Sequence, residues 1–135
     1  VDISPRCVRD LIRLARSRPG LLPVLADARK AASITPFLNG RVTWLFQDVS
    51  QAGQVEMFIT AATTFLAAGG CGLLSLKAAS ERITEGGHRA TFDNAEESLT
   101  ESGLILRQRL DLAGWEDNHV LFHVEAPPDW PGVAD

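Results

Sequence analysis

The sequence predicts an α/β protein built on one mostly parallel β-sheet. Apolar runs of strand length alternate with helical patterns along the 135 residues. Three of those runs are apolar throughout, which is typical of strands that are covered on both faces. The chain contains no internal repeat, and its length suits a single core. We expect one domain over residues 1–126 and a proline-rich tail over residues 127–135.

The first predicted helix follows a short strand at residues 1–3. Ser4 offers a hydroxyl group that can cap the helix. Pro5 suits the first helical position because a backbone N–H at that position would have no acceptor within the helix. Apolar residues then recur at helical spacing until Pro19 and Gly20 break the pattern. These apolar residues are Val8, Leu11, Ile12 and Ala15.

The remaining strands are predicted from apolar runs that end on a charged residue or a turn. They span residues 21–27, 41–48, 71–77, 104–112 and 119–125. Two further helices are predicted at residues 54–66, before Gly69 and Gly70, and at about residues 89–102. No helix separates the last two strands. We therefore expect an antiparallel C-terminal strand at the edge of the sheet.

Charge is unevenly distributed along the chain. The formal net charge is −4, yet arginines cluster in the first predicted helix and just after it. The arginines of this cluster are Arg6, Arg9, Arg13, Arg16, Arg18 and Arg29. The first four fall largely on one side of a helix. This pattern indicates either a solvated helix face or a nucleic-acid surface.

Other features of the sequence argue against a membrane, secreted or metal-binding protein. No apolar run approaches the ~20 residues of a membrane span, and no secretory signal is apparent. Cys7 and Cys71 have no metal-ligand spacing, so no metal site is predicted, and we interpret both as reduced packing residues of a cytoplasmic protein. The tryptophans Trp44, Trp115 and Trp130 are also expected to pack. A first residue other than Met is consistent with a fragment or a processed product.

Charged residues end several predicted strands. Asp2, Asp27, Asp48 and Lys77 each stand at the carboxyl end of one. In open α/β sheets the ligand crevice lies beyond these ends. A single strand-end aspartate commonly caps a helix or forms a turn, but four such charges together favour a functional site.

Several stretches of the sequence resemble the fibrillarin family. Residues 1–29, VDISPRCVRDLIRLARSRPGLLPVLADAR, resemble a strand end of the type VEFSHR that leads through a helix to IIEDAR. FQDVSQAGQ at residues 46–54 is similar to FADVAQPDQ. TFLAAGGCGLLSLKA at residues 64–78 resembles TFLRNGGHFVISIKA, and WEDNHVLFHV at residues 115–124 resembles YERDHAVVVGV. The similarity is nearly gap-free over residues 1–79 and returns at the C-terminal strands.

The resemblance implies a Rossmann-like class I methyltransferase sheet. It also implies transfer of a methyl group from S-adenosylmethionine to the 2'-hydroxyl of an RNA ribose. Asp2 takes the place of the acidic residue that binds the cofactor ribose, and Asp27 with the Ala28 backbone takes the place of the adenine contact. Asp48 is expected to serve both the cofactor and the acceptor.

Further site residues are implied on the acceptor side. Asp48, Lys77 and His119 match the family's catalytic Asp, Lys and His, and Gln51 and Gln54 match two glutamines expected to bind substrate. A ribose hydroxyl is a poor nucleophile, so a base within hydrogen-bond reach must take its proton. Asp48 would orient the hydroxyl and hold a cationic Lys77, which could act as the base only in its neutral form. His119 would help to position the acceptor.

The sequence also departs from the family pattern. The family's first strand, the glycine-rich loop after it and a second catalytic lysine have no counterpart in this sequence. That strand lies in the middle of a class I sheet, and unpaired buried backbone groups cost about 1–3 kcal/mol each. We therefore expect a rearranged sheet, a homodimer or a partner that completes the sheet.

Two alternatives to RNA methylation remain open from the sequence. The chain could be a non-catalytic or rearranged family member that acts as a binding or assembly module. It could also serve bacterial small-molecule biosynthesis, with a small molecule rather than RNA as the acceptor. Cofactor binding and RNA binding distinguish these classes.

Overall fold

The computed structural model describes residues 1–81 and 85–130 of the chain. The chain divides into two compact units, Val1–Asn39 and Gly40–Asp135. We call them the N-terminal unit and the sheet unit. None of the helices in the described ranges is long and apolar enough to cross a bilayer.

The N-terminal unit contains one α-helix, α1 (Pro5–Ala15). Its start confirms the prediction, because the Ser4 side chain accepts a hydrogen bond from the backbone N–H of Cys7 at 3.3 Å. Val8 is buried on the apolar side of this helix. Cys7 is a free thiol and is exposed, so the prediction that it packs was wrong.

The strands predicted at residues 1–3 and 21–27 are reduced to a single parallel bridge between Asp2 and Leu25. The backbone N–H of Asp2 donates to the Val24 carbonyl at 3.0 Å, and that of Ala26 donates to the Asp2 carbonyl at 3.1 Å. Pro23 has no N–H to donate, which limits the ladder at this point.

The sheet unit alternates strands and helices as the sequence predicts. Its elements are β1 (Val42–Asp48), α2 (Gln54–Phe65), β2 (Leu66–Lys77), α3 (Gly87–Glu101), β3 (Ile105–Asp111) and β4 (His119–Glu125). The strand order is β1-β2-β4-β3. β1 and β2 are parallel, and β4 is antiparallel to both of its neighbours. The predicted α/β class is confirmed, with three strands in one direction and antiparallel pairing towards one edge.

The position of the C-terminal strand corrects one detail of the prediction. β4 lies between β2 and β3, and β3 is the outermost strand. β4 buries Val120, Phe122 and Val124, so it suits an interior place. β3 carries Arg107 and Gln108 as exposed side chains, and polar edges of this kind resist unwanted pairing.

β2 begins earlier than the sequence predicts. It starts at Leu66, directly after the last residue of α2. The N–H of Gly69 donates to the Ala126 carbonyl at 2.8 Å, and the N–H of Ala126 donates to the Gly70 carbonyl at 2.9 Å. The two glycines therefore belong to the strand and do not end the helix.

The core of the sheet unit lies between one face of the sheet and the helices α2 and α3. It is formed by apolar side chains from both helices and from β2 and β4, including Phe58, Ala62, Leu74, Leu76, Phe92, Leu99 and Phe122. Gly72 sits on this face. A Cβ atom there would lie 2.8 Å from Cζ of Phe58 and 3.0 Å from Cγ2 of Val124, so the close packing depends on glycine.

The three tryptophans have different environments. Trp130 is 4% exposed, and its Nε1 donates to the Ala62 carbonyl at 3.2 Å, which confirms the packing prediction for this residue. Trp44 and Trp115 are 57% and 92% exposed, so the prediction was wrong for both. Trp44 stacks on Phe46 in β1 with ring centroids 6.0 Å apart. Within the sheet unit, β1 pairs with β2 alone.

Candidate active site

Asp48 and Lys77 are the last residues of β1 and β2. Asp48 pairs in register with Ser75, and Lys77 pairs with His119 of β4. Registered partners share a face of the sheet, and residues two apart on a strand do so as well. Asp48, Lys77 and His119 therefore share one face, opposite the face that packs on the helices.

The three side chains differ in exposure. His119 is 8% exposed, Lys77 is half-buried and Asp48 is exposed. Directly opposed residues on antiparallel strands have Cβ atoms about 4.5–5.5 Å apart, so Lys77 and His119 are neighbours. Within the described residues, neither the Asp48 carboxylate nor the Lys77 ammonium group takes part in an ion pair.

The His119 ring is oriented by the turn before β4. Its Nδ1 lies 2.9 Å from the carbonyl oxygen of Asp117 and 3.8 Å from Oε2 of Glu116. A backbone carbonyl can only accept a hydrogen bond, so this contact assigns the proton to Nδ1. With its proton on Nδ1, a neutral form of the ring would present Nε2 as a hydrogen-bond acceptor.

The two glutamines of the loop after β1 have different surroundings. Gln51 is half-buried, and its Nε2 lies 3.9 Å from Sδ of Met57. Gln54 is fully buried. Its side-chain amide donates to the Lys77 carbonyl at 3.1 Å and accepts from the Lys77 N–H at 3.1 Å. Gln54 therefore contacts a predicted catalytic residue through that residue's backbone.

Glu81 is a residue of this network that sequence reasoning missed. Its Oε1 accepts from the backbone N–H and the side-chain amide of Gln54, both at 2.9 Å, and its Oε2 accepts from the Gly53 N–H at 3.1 Å. Gly53 is the N-cap of α2 and has no side chain to cap the helix, so Glu81 supplies the acceptor. No local pattern marks Glu81, because its partners lie 27 and 28 residues away.

Three of the four predicted cofactor residues, Asp2, Asp27 and Ala28, lie in the N-terminal unit, whereas the fourth, Asp48, lies in the sheet unit. Asp2 is exposed, and its Oδ1 accepts from the Ser4 N–H at 2.7 Å. No hydrogen bond reaches Oδ2 within the described residues, so one oxygen remains available to a ligand. Ala28, whose backbone is the other predicted contact, is half-buried.

Asp27 is bound by its neighbour Arg29. The Arg29 backbone N–H and Nε donate to Oδ1 at 3.0 Å each, and a terminal guanidinium nitrogen donates to Oδ2 at 2.7 Å. The Arg29 side-chain hydrogen bonds, reinforced by its backbone N–H, lower the pKa of the Asp27 carboxyl group to about 2. The carboxylate is ionised at neutral pH, but its acceptor sites are largely occupied by Arg29.

The sheet unit also contains an open cleft of about 580 Å³ beside the N-terminus of α2. Polar side chains of Glu56, Glu81 and Asn94 contribute to its lining. None of the predicted catalytic or substrate-binding residues is among its described lining residues. The cleft therefore does not coincide with the face that carries Asp48, Lys77 and His119.

The fibrillarin family model matches residues 1–127. The chain belongs to the fibrillarin family. A fibrillarin-like rRNA/tRNA 2'-O-methyltransferase of Methanococcus voltae is 33% identical over 122 residues, which cover 90% of this chain and 53% of that protein. The resemblance identified from the sequence motifs is thereby confirmed.

Solved fibrillarin structures agree with the fold. The Methanococcus jannaschii fibrillarin pre-rRNA processing protein has a TM-score of 0.84 at 29% identity, covering 93% of this chain and 54% of that one. Aeropyrum pernix fibrillarin, solved with natively bound S-adenosyl-L-methionine, has a TM-score of 0.75 at 26% identity, covering 90% and 52%. The chain thus spans about half the length of the fibrillarins it matches.

Proposed function

We propose that this chain is part of an enzyme that transfers a methyl group from S-adenosylmethionine to the 2'-hydroxyl of an RNA ribose. The observation that carries the proposal is the opposed pair of Lys77 and His119, with Asp48 ending the neighbouring strand on the same face. The family and the names of its curated relatives support this chemistry. The chain spans half of those relatives, so the activity is assigned to the protein as a proposal.

The residues present fit part of the cofactor. Asp2 has a free carboxylate oxygen, which suits the hydroxyl groups of a ribose. Asp27 fits the adenine amine less well, because Arg29 occupies its oxygens and the amine would have to compete. Asp2 would therefore be the stronger contact, and the Ala28 backbone would add to the adenine side.

Each acceptor-side residue has a separate role in the methyl transfer. When bound, S-adenosylmethionine would supply an electrophilic methyl group for the ribose oxygen, and the thioether would be the leaving group. The charge of the Asp48 carboxylate attracts the Lys77 ammonium group and helps to hold it towards the acceptor, which leaves the single hydroxyl proton to another base. Nε2 of His119 takes the hydroxyl proton, because a neutral imidazole is a stronger base than a carboxylate such as that of Asp48. The Lys77 ammonium group stabilises the negative charge that develops on the oxygen.

The distribution of charge supports RNA rather than a small molecule as the acceptor. The N-terminal unit carries seven basic and three acidic side chains, whereas the rest of the chain carries six and fourteen. At 3.6 residues per turn, three arginines of α1 and its C-cap Arg16 fall within an arc of about 80°. They are all exposed: Arg6, Arg9, Arg13 and Arg16. Arginine forks suit phosphate oxygens.

A partner that completes the sheet is part of the same proposal. Within the sheet unit β1 pairs only with β2, so its other edge could pair with an added strand next to the exposed rings of Trp44 and Phe46. A partner protein or a second copy of the chain would add a strand there. The cytoplasm is the proposed compartment, in keeping with the free thiols of Cys7 and Cys71.

The decisive experiment combines a cofactor titration with a transfer assay. Isothermal calorimetry should detect binding of S-adenosylmethionine, and a labelled methyl group should appear on the ribose of a structured RNA. Asp2→Asn should weaken cofactor binding, whereas Lys77→Ala should spare binding and reduce transfer. Absence of heat at millimolar cofactor, or of label on the RNA, would overturn the proposal.

A further inference from the structure

The buried side chain of Gln54 connects the ends of two strands. Its amide group bonds both the N–H and the carbonyl of Lys77, as a neighbouring strand would. Its backbone carbonyl accepts a hydrogen bond from Nε2 of Gln47 at 2.8 Å, and Gln47 directly precedes Asp48. One residue therefore restrains the last residue of β2 and the penultimate residue of β1.

Glu81 fixes Gln54 in this position. The Gln54 amide group has two N–H donors, of which one binds Lys77 and the other binds Oε1 of Glu81. Since Glu81 also binds the backbone N–H groups of Gly53 and Gln54, it holds the start of α2 as well as the side chain. The amide can then present only its oxygen to the Lys77 N–H and its second hydrogen to the Lys77 carbonyl.

We propose that Glu81 is a positioning residue for Lys77 and Asp48, and that it acts through Gln54. This inference rests on the proposed function, because the groups that it positions are the proposed acceptor-side groups. It also assigns to Gln54 a role in holding the strand ends and not in direct contact with substrate. Displacing the Lys77 backbone would move its ammonium group relative to His119, which is paired with it across the sheet.

The test uses Glu81→Ala and Glu81→Gln in the native protein. The alanine variant removes all three hydrogen bonds that Glu81 accepts. The glutamine variant keeps one acceptor oxygen and replaces the other oxygen with an NH2 donor. Glu56→Gln is the matched control, because Glu56 lies in the first turn of the same helix, is exposed and makes no side-chain bond to Gln54. Circular dichroism first identifies a temperature at which every variant is folded.

Two readouts separate positioning from general stability. Amide hydrogen exchange at Lys77 should accelerate in Glu81→Ala relative to the core amide of Leu74. The kcat for methyl transfer should fall on the order of tenfold to a hundredfold, with KM for the cofactor within about twofold, because misplaced groups cost rate more than binding. Glu81→Gln should lie between Glu81→Ala and the native protein, and Glu56→Gln should match the native protein.

Three results would decide against the inference or against its basis. A fall in kcat with unchanged Lys77 exchange would exclude action through the Lys77 backbone. Faster exchange with an unchanged kcat would show that the placement of Lys77 does not matter to transfer. If the native protein transfers no methyl group, the proposed function fails, and the exchange measurement alone then decides whether Glu81 holds Lys77.

Discussion

Lys77 and His119 face each other directly across the antiparallel pair β2–β4. The two residues are 42 positions apart in the chain, and only the register of the sheet brings them together. His119 is buried with Nδ1 engaged by a carbonyl, while the Lys77 ammonium group has no ion-pair partner among the described residues. The pair thus places an oriented imidazole ring directly opposite the side chain of Lys77.

Replacement of either member of this pair should impair transfer and spare cofactor binding. Lys77→Ala removes the cation next to the developing oxyanion, and we expect roughly a hundredfold or greater loss of turnover. His119→Gln removes the proton acceptor, with a loss of about the same size. The measurement is single-turnover methyl transfer at saturating cofactor. Lys30→Ala is the control, since Lys30 is the other lysine and is exposed. Equal losses in Lys30→Ala would contradict the assignment.

The Asp27–Arg29 pair should be visible in acid titrations. Arg29→Gln removes the hydrogen bonds that lower the pKa of Asp27, so that pKa should rise from about 2 towards the ordinary value of 3.8. Because the folded-state pKa is depressed, the pair contributes stability above about pH 3.8, and this contribution is lost as the pH falls through about 2. Carboxyl NMR of Asp27 gives the titration directly. An unchanged midpoint in Arg29→Gln would refute the assigned cause.

Gly72→Ala should destabilise the sheet unit. The added methyl group would lie within 3.0 Å of side-chain atoms of Phe58 and Val124, both of which are fully buried. Overpacking of this kind costs about 1–3 kcal/mol. Chemical denaturation should show a lower midpoint with an unchanged slope. A midpoint equal to that of the native protein would show that the side chains of Phe58 and Val124 can shift to accommodate the methyl group.

The arginine face of α1 should contribute to RNA binding in a salt-dependent manner. Neutralising arginines of α1 to glutamine should flatten the dependence of log K on log salt, by about 0.9 per lost phosphate contact on a duplex or about 0.7 on a single strand. The variants are Arg6→Gln, Arg9→Gln, Arg13→Gln and Arg16→Gln, singly and combined. Arg89→Gln and Arg107→Gln, in the sheet unit, are charge-matched controls. If the combined variant and the controls have the same salt slope, the RNA contacts lie outside the arginine face of α1.

Local signals in the sequence predicted much of the fold. The Ser4–Pro5 start of α1 and the full extent of β4 agree with the structure. Each was marked by neighbouring residues, namely a cap with a proline in one case and a short, largely apolar segment between turn residues and prolines in the other. The start of β2 was missed because Gly69 and Gly70 suggest a helix end, whereas long-range bonds to Ala126 place them in the strand.

The candidate site could be predicted only in part, for a similar reason. Asp48 and Lys77 stand at strand ends, which periodicity can locate. The partners of Gln54 are different, because Lys77 and Glu81 are more than 20 residues away and reach it only after the chain has folded. No spacing in the sequence could have distinguished the fully buried Gln54, which holds two strand ends, from the half-buried Gln51 three residues before it.

The buried indole of Trp130 gives the sheet unit a built-in spectroscopic reporter. Trp44 and Trp115 already emit from water, so loss of structure changes their surroundings little. Trp130 alone among the three moves from an apolar site with a hydrogen bond to Ala62 into solvent. A red shift of the native fluorescence should therefore follow detachment of the segment after β4 from α2, without any added dye.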